Sequence, residues 1–354
     1  MVTTLQRDDL GTLGRGFRAL GSGGGGSTTL WELTLSRDPA WSAQVFSVAE
    51  LDPATPCVAV SFAGSTLLLD ERPPGQDPFA ELIAAAERWT GVAAHAVCWI
   101  EGAGLNGLSP FTVSGERALV DADLMGRALP LLEQTTLLVD RLPGVVTVSE
   151  SGAGGLVVID TQRAADTEAV VRSAIVQAGG AAAVVMAGFT VGDLAEHAIT
   201  GGVARAYQLG GALADTSLSL PELADRWRAR LLGVGQITAT AVAPNDPFAS
   251  SIEIRGDDGS YLHLVARSES LAFMRDGLVE AATPDILVTI DSRTREVLQV
   301  MDLLVTRHVA VFGLAAPPWW RSTPERLRQV SPSRYDLPEL ELELELDRPD
   351  GVRR

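Results

Sequence analysis

Two stretches of the chain repeat one order: an apolar run, a helical pattern, and a second apolar run. Residues 57–62 read Cys-Val-Ala-Val-Ser-Phe, Asp77-Pro78 with Glu81 in the first turn opens a helix, and 95–100 is apolar again. Residues 155–161, a helix over 167–177 stopped by Gly179-Gly180, and an apolar run over 181–186 repeat the pattern. Such alternation buries runs too short for isolated helices between helical layers, which predicts an α/β N-terminal domain. After a helix expected over 221–232, the chain turns to strands at 236–242, 252–255, 261–265, 286–290, 297–300 and 309–312. Asp257-Asp258-Gly259 is the hairpin signal among them, because Asp and Gly tolerate the backbone angles of a tight turn. The reading is an α/β N-terminal domain over 1–165, followed by a β-rich α+β C-terminal domain over 166–354, with a second core starting in the strand-helix-strand unit over 155–186 or slightly later.

At 354 residues and 37.3 kDa the chain can bury about three-quarters of its surface, so no disulfide or zinc staple is needed. Cys57 and Cys98 sit in apolar runs and read as inert core thiols of a reducing compartment. A net charge of −17 argues against nucleic acid as a partner. All 28 basic residues are arginine, which excludes a Walker A loop, a Schiff-base lysine and a Ser-Lys dyad. Thr3, Thr4, Gln6, Arg7 and Asp8 lack the basic-then-apolar order of a signal peptide. No run reaches the ~18 apolar residues of a membrane span, so a cytoplasmic protein without a membrane partner is expected.

Leu10, Leu13, Phe17 and Leu20 recur at helical spacing after Asp8 and Asp9, and the helix stops at Gly21-Ser22-Gly23-Gly24-Gly25-Gly26. Ser27 and Thr28 then open a second helix, so the glycine run links two helices. Its unobstructed amides suit a carboxylate or another anion, although a flexible turn is equally compatible with it. The densest polar cluster is Glu101-Gly102-Ala103-Gly104-Leu105-Asn106 after an apolar strand, followed by Val120-Asp121-Ala122-Asp123-Leu124-Met125-Gly126-Arg127. In an extended segment Asp121 and Asp123 face one side and can share a proton or a cation, with Arg127 as clamp. The bland alternative makes Asp123 the cap of a helix over 125–132 and Arg127 an ordinary ion-pair member. His95, His197, His263 and His308 have no His or Cys at metal-ligand spacing, and no Gly-x-Ser-x-Gly elbow is present. Glu269 is a lone carboxylate at a strand end. The leucine–glutamate alternation over 340–346 predicts a half-buried final strand, a candidate dimer edge.

Together these motifs resemble the S-methyl thiohydantoin desulfurase family. The resemblance continues through Thr283-Pro284-Asp285-Ile286-Leu287-Val288-Thr289-Ile290-Asp291, Arg307-His308-Val309-Ala310-Val311 and Pro317-Pro318-Trp319-Trp320-Arg321, in that order. It implies a two-domain hydrolase of hydantoin metabolism, related to hydantoinases and oxoprolinases, acting on a small heterocyclic substrate. In that chemistry water replaces a methylthio group, leaving a hydantoin and methanethiol. The resemblance assigns Asp121, Asp123 and Glu101 to catalysis, and Gly23, Gly24, Gly25, Gly26, Asn106, Arg127 and Glu269 to substrate binding. No cofactor is required by it, and a divalent metal such as zinc is the candidate if the carboxylates are ligands. The chain departs from the family pattern at Ala103, where a second glycine is usual, at Leu131, which replaces the acid of a Pro-Glu step, and in Arg267-Ser268-Glu269. Those departures motivate the alternative of a non-catalytic subunit or binding module for a hydantoinase-like enzyme. A third reading is a carboxylate-liganded metalloenzyme of another class. Partners expected are the small heterocycle and either a second copy of the chain or a hydantoinase-like protein.

Overall fold

A computed structural model describes residues 2–75, 77–243 and 246–342 of the chain. The chain forms two compact units, one made of Met1–Leu20 with Gly25–Gly211 and the other of Gly21–Gly24 with Ala212–Arg354.

The first unit is built on a nine-stranded mixed sheet. Its strands are β1 (Thr3–Gln6), β2 (Ser42–Phe46), β3 (Pro56–Gly64), β4 (Ala96–Trp99), β5 (Ala118–Asp123), β6 (Val146–Gly152), β7 (Gly155–Asp160), β8 (Ala181–Thr190) and β9 (Ile199–Thr200). They lie in the order β1-β2-β5-β4-β3-β8-β6-β7, with β9 added to β5. The four strands from β2 to β3 are mutually parallel. Parallel strands are covered on both faces, which explains why 57–62 is apolar without alternation and buried throughout. Helices α1 (Leu10–Leu20), α2 (Thr29–Leu35), α3 (Thr66–Glu71), α4 (Ala80–Thr90), α5 (Thr136–Val139), α6 (Ala164–Gln177), α7 (Val191–His197) and α8 (Gly202–Ala214) follow in chain order, the division between the units falling inside the last. The expected α1 buries Leu10, Leu13, Phe17 and Leu20 on one face, and the glycine run does connect it to α2.

The second unit contains α9 (Leu220–Trp227) and carries a seven-stranded antiparallel sheet. Its strands are β10 (Arg230–Ala243), β11 (Asp246–Gly256), β12 (Tyr261–Ala266), β13 (Ser270–Arg275), β14 (Leu278–Ala282), β15 (Ile286–Asp291) and β16 (His308–Leu314), in the order β14-β13-β12-β11-β10-β16-β15. β12 alternates exposed or half-buried with buried residues, the signature of a sheet with one face on a core. The expected hairpin joins β11 to β12, with Gly259 at φ +86° in its turn. The sheet packs Ile237, Ile252, Ile254, Leu262, Leu264 and Phe273 into one apolar cluster. The fold class is therefore an α/β domain followed by a β-rich one.

Several local expectations are corrected. The helix expected over 221–232 ends at Trp227, where Arg228 adopts φ +52° and β10 takes over at Arg230. The run 297–300 contributes one bridge, Ile290 to Val297, and then a 3-10 turn. No helix runs from Asp123 over 125–132; a 3-10 turn, Leu132–Gln134, follows an irregular segment containing Gly126 at φ +72°. Residues 181–186 do not start a second core. They lie in β8, whose partners β3 and β6 place it inside the first sheet. Of the expected strand over 340–346, residues 340–342 are a 3-10 end and coil, and 343–346 lie outside the described residues. Cys57 and Cys98 are both buried.

Candidate functional site

The parallel arrangement fixes where chemistry can be concentrated. β4 and β5 end side by side at Trp99 and Asp123, and the backbone of Leu124 donates to Trp99 O at 3.0 Å, so the segments after them leave the sheet at the same edge. Such carboxyl ends are where ligands usually meet α/β sheets. Here the 101–106 turn, the 121–127 segment and the second half of the glycine run converge within the first unit.

Asn106, buried at 5% exposure, is a bracket for the end of β3. Its Oδ1 accepts the Phe62 amide at 2.7 Å, and its Nδ2 donates to Phe62 O at 2.9 Å and to Glu101 Oε1 at 3.4 Å. The half-buried Glu101 thereby stands beside a side-chain amide held rigid by the strand. Gly25, at φ +77°, lies directly on Gly104, at φ +50°, and Leu105 donates to Gly25 O at 2.7 Å. A Cβ on Gly104 would overlap the Gly25 carbonyl group, so both glycines are required by a backbone-to-backbone approach that no side chain permits. A Cβ on Gly26 would come within 2.9 Å of the Thr66 side chain at the start of α3. The amides of Gly25 and Gly26 donate to no described residue.

Asp121 and Asp123 turn to different partners. Asp121 accepts the Val203 amide at 3.1 Å at the first turn of α8, a helix-end role in which the carboxylate meets the positive end of the dipole. Burial raises its pKa, while the Val203 and Gly202 amides pull it back down. Asp123 is 4% exposed; Oδ2 accepts Gly102 N at 2.9 Å and Oδ1 accepts Met125 N at 2.8 Å. Burial pushes its pKa up to about 7, against the amides of Gly126, Met125 and Gly102 and with a smaller push from Asp121. A carboxyl raised into the neutral range is suited to both taking and returning a proton. Burial and the neighbouring Cys57 raise the Cys98 thiol, with Asp123 adding to the effect, so that thiol stays protonated. Arg127 is 1% exposed and its Nε donates to Ala128 O at 2.9 Å, which makes it an interior residue of the turn.

The remaining assigned residues belong to the second unit. Gly23 O accepts the Val300 amide at 2.8 Å, and a Cβ on Gly24 would come within 2.6 Å of Glu269 Oε1, so the first half of the run is packed against the buried Glu269. Sequence reasoning passed over Ser22. Its Oγ accepts the Leu287 amide at 3.0 Å on β15, the edge strand, and its carbonyl accepts the Ser270 amide at 2.7 Å. The available signal was a hydroxyl inside a glycine run, at φ +52°. Reasoning from sequence likewise missed Gly102, the Phe62 backbone and Val203, whose backbones supply the partners of the polar side chains.

Among the described residues no three His, Cys, Asp or Glu side chains are gathered as a metal-holding group. Both Asp123 oxygens face backbone N–H hydrogens, the wrong sign of neighbour for a cation. Held by those amides, Asp123 does not fit the role of a divalent-metal ligand. No helix among the described residues is long and apolar enough to cross a membrane.

Comparison with known proteins adds three results. Residues 8–161 match the family model described as S-Me-THD-like, N-terminal domain, and residues 162–343 match that described as S-Me-THD-like, C-terminal domain. A crystal structure of a protein from Chromobacterium violaceum is similar at 20% identity and a TM-score of 0.77, covering 98% of this chain and 100% of that one, which establishes likeness of fold. No curated protein matches the chain.

Proposed function

The chain belongs to the S-Me-THD-like family, and from that premise we propose that it hydrolyses a small thiohydantoin-type ring, replacing a methylthio group by oxygen. One observation carries the reading: a buried carboxyl, Asp123, titrating near neutrality at the carboxyl ends of parallel strands. Water adds to the ring carbon that bears sulfur and two nitrogens; the carbon–sulfur bond then breaks. One water proton ends on the ring nitrogen and the other on the departing methanethiol, so a group able to accept and return a proton at pH 7 serves both transfers. We assign that role to Asp123 and the orientation of water to Glu101, held by Asn106. The amides of Gly25 and Gly26 are the donors for the ring's carbonyl oxygen, where negative charge accumulates. Asp121 serves by fixing α8 against β5 and Arg127 by holding the turn after Asp123.

The test is incubation of the full chain with S-methyl thiohydantoins, thiohydantoins and hydantoins, following ring consumption and methanethiol by chromatography. Methanethiol formed in step with hydantoin supports the assignment; an inert protein across the panel removes it. A second reading, a non-catalytic module for a hydantoinase-like enzyme, draws on the engagement of both Asp123 oxygens by backbone amides. It predicts no turnover alone and co-elution with such an enzyme.

A further inference from the structure

The second unit contains a hydrogen-bonded series that the proposed hydrolysis does not use. Ser292 Oγ lies 2.6 Å from His308 Nδ1, and His308 Nε2 lies 2.9 Å from Asp257 Oδ1. The three residues come from separate segments: the turn after β15, the first position of β16, and the turn joining β11 to β12. The backbone fixes each of them. Ser292 N donates to His308 O at 3.0 Å, Asp257 N donates to Val234 O at 2.9 Å, and His308 stands opposite Gln236 in the β10–β16 ladder. The series is open to solvent, with side-chain exposure of 30% at His308 and 59% at Asp257.

Ser292 Oγ also donates to His308 O at 3.1 Å, so its proton is shared between that carbonyl and the imidazole; with Nε2–H donating to Asp257, Nδ1 keeps a lone pair within reach of the hydroxyl. That is the polarity of a nucleophile, a base and an orienting acid, with the two imidazole nitrogens exchanged relative to the usual protease arrangement. We propose that Ser292, His308 and Asp257 form a second reactive centre, an acyl-accepting serine for small carboxylic esters. In acylation Ser292 Oγ bonds to the acyl carbon while its proton passes to His308 Nδ1. The bond to the alcohol breaks, and the alcohol leaves with that proton. Water, deprotonated by the same nitrogen, then cleaves the acyl-serine to the free acid, so ester and water give acid and alcohol.

The geometry also sets the rate. The amides of Arg293 and Thr294, which follow the serine, both donate to Asp291 Oδ1 at 2.9 Å and are not turned toward an oxyanion. Each oxyanion donor is worth about 100- to 1000-fold. Turnover is therefore slow, and the covalent serine adduct is the main readout.

The experiment treats the full chain with a fluorophosphonate probe, maps the adduct by peptide mass spectrometry, and follows p-nitrophenol release from p-nitrophenyl acetate in parallel. The expected result is one phosphonylated residue, Ser292, with loss of fluoride. Labelling should disappear in Ser292→Ala, slow by about 100-fold in His308→Gln as general-base assistance is lost, and slow by about 10-fold in Asp257→Asn, with thermal midpoints showing that each variant is folded. An adduct elsewhere, no adduct on Ser292, or a Ser292 labelling rate indifferent to His308→Gln would overturn the assignment. Ring hydrolysis depends on none of these residues, so the two centres stand or fall separately.

Discussion

Replacing Asp123 by Asn separates the energetics of a buried titrating carboxyl from its hydrogen bonding. Burial moves the folded-state pKa to about 7 from an ordinary 3.8. A shift of about three units at 1.36 kcal/mol each corresponds to about 4 kcal/mol. The sign follows from a folded pKa above the unfolded one. The stabilisation is whole below pH ~4, where both states hold the proton, and is lost as pH rises through 7. Between pH 5 and pH 8 the wild-type protein should lose about 2–3 kcal/mol from this group alone. Asparagine does not titrate, while Asp121 titrates in both proteins and largely cancels. Asn has one acceptor where Asp offers two, so either the Gly102 or the Met125 amide faces an NH2 group. That adds a pH-independent penalty of about 1–3 kcal/mol. Urea unfolding followed by far-UV circular dichroism at pH 5, 6, 7 and 8 isolates the slope: the variant should gain on wild type by about 2–3 kcal/mol across the series. A difference constant within about 0.5 kcal/mol would show that Asp123 is not buried as described, and the proton-transfer role would fall with it.

Three further outcomes are expected. Glu101→Gln, which keeps the contact with Asn106 but not the charge, should lower kcat for methanethiol release by about 100-fold or more with little change in the thermal midpoint. Gly104→Ala forces a methyl group into the Gly25 backbone at positive φ; a loss of about 2–5 kcal/mol, read as a lower urea midpoint, should follow. Ser22→Ala removes the acceptor of the buried Leu287 amide and should cost about 1–3 kcal/mol, measurable by differential scanning calorimetry as a shift confined to the unfolding of the second unit.

What could be read from the residues alone was local. Leu10 to Leu20 declares a helix by spacing, Asp257-Asp258-Gly259 declares a hairpin by turn chemistry, and the apolar run 57–62 declares a doubly covered strand. Each signal lies within a few residues of its consequence. The assignment of 181–186 to a second core failed because its pairing with β3 joins residues more than a hundred positions apart, and periodicity carries no information on partners. The candidate site divides in the same way. The motifs around Glu101, Asn106 and Asp123 were visible as polar clusters after strands, and the first unit does gather them. Their neighbours are backbone amides and carbonyls of Phe62, Gly102 and Val203, which no side-chain pattern announces. The family resemblance supplied the order of the motifs and the class of chemistry, not the helix-end position of Asp121 or the interior position of Arg127.

The four residues Gly21–Gly24 have a practical consequence for anyone dividing this polypeptide. They pair with β13 and β15 through Ser22 although nearly two hundred positions separate them from the rest of their unit. A fragment begun after residue 165 or 211 would lack them, leaving the Leu287 and Ser270 amides without acceptors and an empty groove beside Glu269. During synthesis this segment leaves the ribosome near the start and must wait for the second sheet, which is made last. Supplying 21–24 as a linked peptide, or moving the termini into the α1–α2 connection by circular permutation, is the direct route to an autonomous C-terminal half.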